Sequence, residues 1–313
     1  MLKYAVRKAL LMIPTLWVVI TLVFLMMRIL PGDPALLILG ENLEERALQS
    51  LRHEMGLDKP IIMQYFDFLW GVIRLDLGKS LLTRRPVMTE IGDQVVHTFV
   101  LAVASLIVAV VIAVPLGVVS AIKRNSVLDQ ILRVVALFGI SMPEFWKGLL
   151  ALWLFGLALG WFPITGAGLF SDPLGYLHRL ILPSISIGYG SAALIMRMTR
   201  SCMLEVISQD YIRTARAKGL MERVVVYRHA LKNALIPVVT IVGLNIGWLL
   251  GGTVVVEMVF ARPGLGKLLV DAMFTRDYAQ AQGSLMIFAV TFMLANLLAD
   301  LIYGFVDPRV KYE

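Results

Sequence analysis

Long runs without charge, separated by short basic stretches, set the pattern of this chain. Residues 9–27 carry no charge and follow Lys3, Arg7 and Lys8; a helix of that length crosses a hydrocarbon core of about 30 Å. Further apolar runs lie at 94–122, from Arg133 towards Trp161, at 180–196, at 233–256 and at about 278–304. Together they predict an all-α integral membrane protein with six transmembrane helices. Basic residues gather at ends that would share one side: Lys123 and Arg124 after the second run, Arg197 and Arg200 after the fourth, Arg309 and Lys311 at the carboxyl end. Short cytoplasmic loops carry this excess, so both termini are expected in the cytoplasm. Arg28 and the rigid turn Leu30-Pro31-Gly32-Asp33-Pro34 follow the first run where a signal peptide would have a small-residue cleavage site, which predicts an uncleaved first helix.

The polar stretch between the first two runs has helix signals of its own. Asn42 with Glu45 reads as a capping box, Leu43, Ala47, Leu51 and Met55 share a face, and Gly56 can end that helix. Asp58 and Pro60 can start a second helix through Tyr65, Phe66, Leu69 and Trp70. The domain reading is thus a first transmembrane helix at 1–29, an external helical insertion at 30–97, and a five-helix core at 98–313 with a cytoplasmic loop at 201–235. Lys and Arg in the insertion do not oppose an external placement, because loops longer than about 60 residues escape the charge rule. The insertion is expected to cap the core and, with its outer rim, to help seat an external protein.

Composition agrees with the pattern. Hydrophobic residues make up 58% and charged ones 16% of 313 residues, against about 25% charged in soluble domains. The net charge of +7 is an orientation signal here, and no nucleic-acid partner is expected. One cysteine, Cys202, and four scattered histidines, His53, His97, His178 and His229, offer neither a disulfide framework nor metal-ligand spacing. Gly264-Leu265-Gly266-Lys267 lacks the spacing of a phosphate-binding loop, so no catalytic residue and no bound cofactor are expected. With no separate soluble domain, energy must come from a gradient or from a partner.

The basic loop is the most informative stretch. Tyr211 to Gly219 suggests a helix broken at glycine, followed by a second helical piece ending before Pro237. Small residues at Thr214, Ala215 and Ala217 leave a bare surface for another protein, while a basic helix lying on anionic lipid explains the same residues. The pattern Tyr211-x-x-Thr214-Ala215-x-Ala217-Lys218-Gly219, then His229-x-x-x-Asn233-Ala234-x-x-Pro237, resembles the cytoplasmic loop of ATP-binding-cassette importer permeases of the dipeptide, oligopeptide and nickel branch. Leu30 to Pro34, Gly56-Leu57-Asp58-x-Pro60, Ser141-Met142-Pro143, the glycine-rich fifth run, Arg262-Pro263-Gly264-Leu265-Gly266 and Asp307-Pro308-Arg309 extend the resemblance along nearly the whole chain.

The resemblance implies a permease of the bacterial cytoplasmic (inner) membrane, moving di- or oligopeptides inward by alternating access. Nickel, glutathione or another peptide-like conjugate are the alternative cargoes. It implies a heterodimer with a second permease, two cytoplasmic ATP-binding subunits that hold ATP and Mg, and an external (periplasmic) substrate-binding protein. It also implies that Thr214, Ala215, Arg216, Ala217, Lys218 and Gly219 form the ATPase-coupling loop. The general importer pattern, Glu-Ala-Ala, three residues, then Gly, is only partly present: Arg213 and Thr214 stand at its first two positions, and Ala215 and Gly219 match. Outside the family, a proton-driven transporter using Glu144 and a membrane scaffold are the rival readings.

Glu144 and Lys147 lie one helical turn apart within the third run, after Pro143. Ionisable residues at that depth pair or face water; this pair is either self-neutralising or borders the transport path. Gly243, Gly247 and Gly251 repeat at four-residue spacing and predict close helix packing, with Asn245 and Trp248 lining the cavity or a partner interface. Asn296 and Asp300 are expected to bond between helices or reach the cytoplasmic surface.

Overall fold

The computed structural model describes residues 2–29, 45–54, 56–168 and 171–306. Leu30 to Pro34, Asn42, Leu43, Met55 and Asp307-Pro308-Arg309 lie outside the described residues. The elements that are described are helices: α1 (Leu2–Ile29), α2 (Glu45–Glu54), α3 (Ile61–Ile73), α4 (Val87–Ile122), α5 (Val127–Ser141), α6 (Glu144–Ala158), α7 (Pro173–Ile207), α8 (Asp210–Ala217), α9 (Glu222–Val259), α10 (Leu265–Phe274) and α11 (Tyr278–Val306). Residues Leu152–Ala158 of α6 and Val225–Ala230 of α9 are π-helical.

Among the described residues, α4, α7, α9 and the part Tyr278–Leu301 of α11 are long and apolar enough to cross a membrane. The pair α5 and α6 makes a fifth span if counted as one, and α1 contributes the shorter apolar stretch Leu10–Met26. The expected third helix is therefore not continuous: α5 and α6 meet at a bend of 112°. Pro143 forces Met142 into extended backbone (ψ 134°) and is itself extended (ψ 146°), which stops α5 and restarts the helix at Glu144. Two further corrections concern local signals. Pro60, not Asp58, stands at the start of α3, and Asp58 instead bonds His53 Nδ1 at 2.7 Å, which holds its carboxyl below the ordinary value. The second piece of the basic loop does not end before Pro237; it runs unbroken into α9, because membrane helices tolerate proline.

The chain divides into two compact units. The first comprises Phe99–Arg262 with Met1–Val6 and Leu294–Glu313. Its centre is α7, whose spanning window is 67% buried against 28% for α4, so α7 carries the core and α4 keeps an open face. Glycine lets these two helices touch: a Cβ at Gly188 would stand 2.7 Å from the Ser105 carbonyl oxygen, and one at Gly117 2.8 Å from that of Met196. Leu101, Leu180, Ile187, Leu249 and Val256 fill one part of this core, and Ala109, Ala136, Ala193, Ile195 and Val238 another. Arg262 is fully buried; its Nη2 donates to the Tyr176 hydroxyl at 2.8 Å and its guanidinium lies 5.0 Å from that ring's centre.

The second unit comprises Arg7–Thr98 with Pro263–Met293. Phe24 of α1 meets Tyr65 and Phe68 of α3 at ring distances of 5.3 and 5.8 Å, and Thr21 Oγ1 bonds Tyr65 OH at 2.7 Å. Gly56 adopts φ 64° where α2 ends, as its position predicts. The segment after Arg262 forms helix α10, its Leu265 amide donating to Thr98 Oγ1 at 2.8 Å. Asp277 is buried at the start of α11, accepting from the Gln280 amide at 3.1 Å and from Ser80 Oγ at 2.5 Å, so one carboxylate caps the helix and ties down the end of the insertion.

Candidate functional site

The bend between α5 and α6 opens onto a cavity of about 520 Å³ within the first unit. Glu144, Lys147, Asn245 and Trp248 all line it, joined by Gly190 and Ser191 of α7. Packing brings residues from four helices, α5, α6, α7 and α9, together here, whereas the sequence pattern treated α6 and α9 separately. Glu144 and Trp248 also border a second cavity of about 300 Å³, next to Gly251 and Gly252.

The two charges influence one another without touching. Lys147 is 7% exposed, and its Nζ donates to the Gly139 carbonyl at 3.3 Å. That carbonyl belongs to the last turn of α5, whose carbonyls have no partner further along the helix. Glu144 occupies the first turn of α6 and lies within the field of the Lys147 charge, but the two form no hydrogen-bonded ion pair. The bend explains the separation: it presents Lys147 with the open end of α5 at a shorter reach than the carboxylate. Each charge also lies over a glycine. A Cβ at Gly190 would come within 2.9 Å of Lys147 Nζ, and one at Gly252 would collide with the Glu144 carboxylate. Asn245 is buried, donating to the Ile241 carbonyl at 2.8 Å and accepting from Ser191 Oγ at 3.4 Å, while Trp248 is 72% exposed.

The glycine stripe on α9 serves two purposes. Gly243 and Gly247 face α11, with a Cβ placed 3.5 Å from the Ala299 carbonyl oxygen and 2.5 Å from Asn296 Oδ1 respectively. Gly251 meets nothing within 4 Å, so its expected packing role is corrected: its neighbour Gly252 makes the close approach. A run of small residues at Gly188, Gly190 and Ser191 was the available signal for the α7 wall, and Gly139, Gly190 and Gly252 are the site residues that sequence reasoning missed.

The basic loop folds into a compact knob. Ile212 and Ala215 of α8 are buried against Met203, Val225, Val226 and Ala230. Ala215 therefore supports the knob from beneath, a correction to its place on the bare surface, while Thr214, Arg216, Ala217, Lys218 and Gly219 are exposed. Gly219 has φ 75° with nothing near its Cβ position, so glycine serves the turn and not a contact. Across that turn Arg216 grips Glu222 through Nε at 3.0 Å and Nη2 at 2.6 Å, a hydrogen-bonded pairing that raises the Arg216 pKa. Tyr211 OH accepts from Asn233 Nδ2 at 2.8 Å, tying α8 to α9. Among the described residues no group of three His, Cys, Asp or Glu is placed to hold a metal.

Residues 113–312 match the family described as binding-protein-dependent transport system inner membrane component, and residues 1–102 match its amino-terminal counterpart. The chain belongs to this family. As such a permease it is a multi-pass protein of the bacterial inner membrane, working with an ATPase and a substrate-binding protein, and ATP hydrolysis resides in the separate ATPase subunit. The permease is 44% identical over 313 residues, all of both chains, to the glutathione transport system permease protein GsiC of Pectobacterium atrosepticum. It is 41% identical, again over the whole of both chains, to GsiC of Escherichia coli strain K12. Its fold is similar to a solved structure of the MetNI methionine ABC transporter in inward-facing conformations, with TM-score 0.58, 20% identity, and coverage of 70% of this chain and 97% of that one.

Proposed function

We propose that this permease forms half of the path by which an ATP-driven importer takes up glutathione or a similar short peptide. The carrying observation is the full-length similarity to glutathione permeases, 44% identical over 313 residues. It favours glutathione, itself a tripeptide, over the wider range of di- and oligopeptides and over nickel. The other half of the path is a second, related permease, and two ATPase subunits holding ATP and Mg take up the knob.

Coupling is mechanical in this reading. The knob's return limb and the cavity wall are one helix, α9, which runs from Glu222 at the knob to Asn245 and Trp248 at the cavity. ATP-driven closure of the ATPases would move Thr214 to Gly219, α9 would carry that movement inward, and the cavity would change the side it faces. In this reading the insertion at 30–97 lies outside and helps seat the binding protein.

The test is uptake by the four-subunit complex in lipid vesicles with the binding protein added. Glutathione uptake that needs ATP and persists with an uncoupler is the expected result. Saturable dipeptide or nickel uptake without glutathione uptake would refute the cargo. Uptake by this chain alone, collapsed by an uncoupler, would support the proton-driven rival.

A further inference from the structure

Opposite charges one turn apart on a helix ordinarily meet, and their attraction grows as the surroundings become less polar. Glu144 and Lys147 satisfy both conditions and feel one another's charge, yet they make no direct contact. Lys147 turns to the Gly139 carbonyl, and Glu144 lies against Gly252. Helix ends help to balance them: the carbonyl end of α5 is the negative pole of that helix, and the first turn of α6 is a positive pole. The 112° bend brings both poles to the wall of one cavity, which Ser191 and Asn245 also line. An ammonium has three donors, and one of those on Lys147 is engaged by protein. At about 520 Å³ the cavity falls within the roughly 300–1,000 Å³ of small-molecule sites.

We infer that this break is a two-pole waypoint for a zwitterionic cargo, where the Glu144 carboxylate receives an ammonium group and the Lys147 ammonium receives a carboxylate. The inference rests on the proposed reading of the chain as a short-peptide permease. Discontinuous helices place opposed ends at a substrate in other transport folds, and the glycines at 190 and 252 act here as the cradle. Alanine at either would press on a charge that the cargo must reach.

The complex in vesicles provides the test, with three cargoes loaded on the binding protein at saturation: glutathione, its N-acetyl derivative and its glycyl amide. Rates are compared as variant over unmutated complex for each cargo, so the binding protein's own preference cancels. Glu144→Gln is expected to slow glutathione and the amide about tenfold and to spare the acetylated form. Lys147→Gln should slow glutathione and the acetylated form about tenfold and spare the glycyl amide less completely, since glutathione keeps a second carboxylate. The charge-swapped variant Glu144→Lys with Lys147→Glu should remain slow, because each charge would face the wrong helix end. Its recovery to the unmutated rate would make the two residues a structural ion pair and overturn the waypoint, as would an equal change for every cargo or none. If the unmutated complex imports no glutathione, the reading of the cargo fails and the waypoint for it falls with it; normal import with insensitive variants sinks the waypoint alone.

Discussion

Asp129 is fully buried, yet every bond it needs is present. Oδ1 accepts from Ser120 Oγ at 2.5 Å and Arg200 Nε at 2.8 Å, and Oδ2 accepts from Arg200 Nη2 at 2.9 Å and the Asn125 amide at 3.0 Å. Removing one member of such a pair strands the other, so Asp129→Asn should lower stability by about 3–5 kcal/mol, read as thermal unfolding of the purified complex in detergent. Arg200→Lys should recover only part of it, since lysine lacks the planar fork. The sequence marked Arg200 only as a cytoplasmic charge, because its partner lies 71 positions away and periodicity does not report such distances. Glycines teach the same lesson. Gly188→Ala should cost about 1–3 kcal/mol by pressing on the Ser105 carbonyl, whereas Gly251→Ala, with open space around it, should be neutral or stabilise by up to about 1 kcal/mol. Spacing alone favoured Gly251.

Among the elements, the knob was legible and the third span was not. Residues 211–219 read as a helix stopped by glycine, and α8 spans Asp210–Ala217 with Gly219 left-handed. That conformation makes a sharp prediction: Gly219→Asn should retain coupling, because asparagine visits this region, while Gly219→Val should strain the turn by about 1–2 kcal/mol. The measurement is ATP-dependent uptake by assembled complexes, and equal behaviour of the two variants would show that the turn is not what matters. Pro143 stands within an apolar run that the sequence pattern carries through as one helix. A proline can be accommodated within a helix, as at Pro237 in α9, or can stop one, as at Pro143. Which occurs depends on the neighbours available to the freed carbonyls, and Lys147 supplies one only because the chain has already turned.

For the whole molecule, sidedness is the property most open to direct test. With Cys202 replaced by serine, a cysteine at Lys218 should react with an impermeant thiol reagent only after the inner membrane is opened, and one at Gln49 should react from outside. Reversed labelling would invert the orientation expected from the basic loops. The helical class, the apolar runs and the stop at Gly56 follow from the sequence by itself, since each depends on a few neighbouring residues or on local hydrophobic balance. Tertiary structure decided the rest: the break at Pro143, Arg262 buried against Tyr176, helix α10, Asp129 joined to Arg200, and Lys147 turned to the Gly139 carbonyl. Those outcomes depend on which distant backbones can approach closely enough to leave a charge with a partner, and only packing sets that distance.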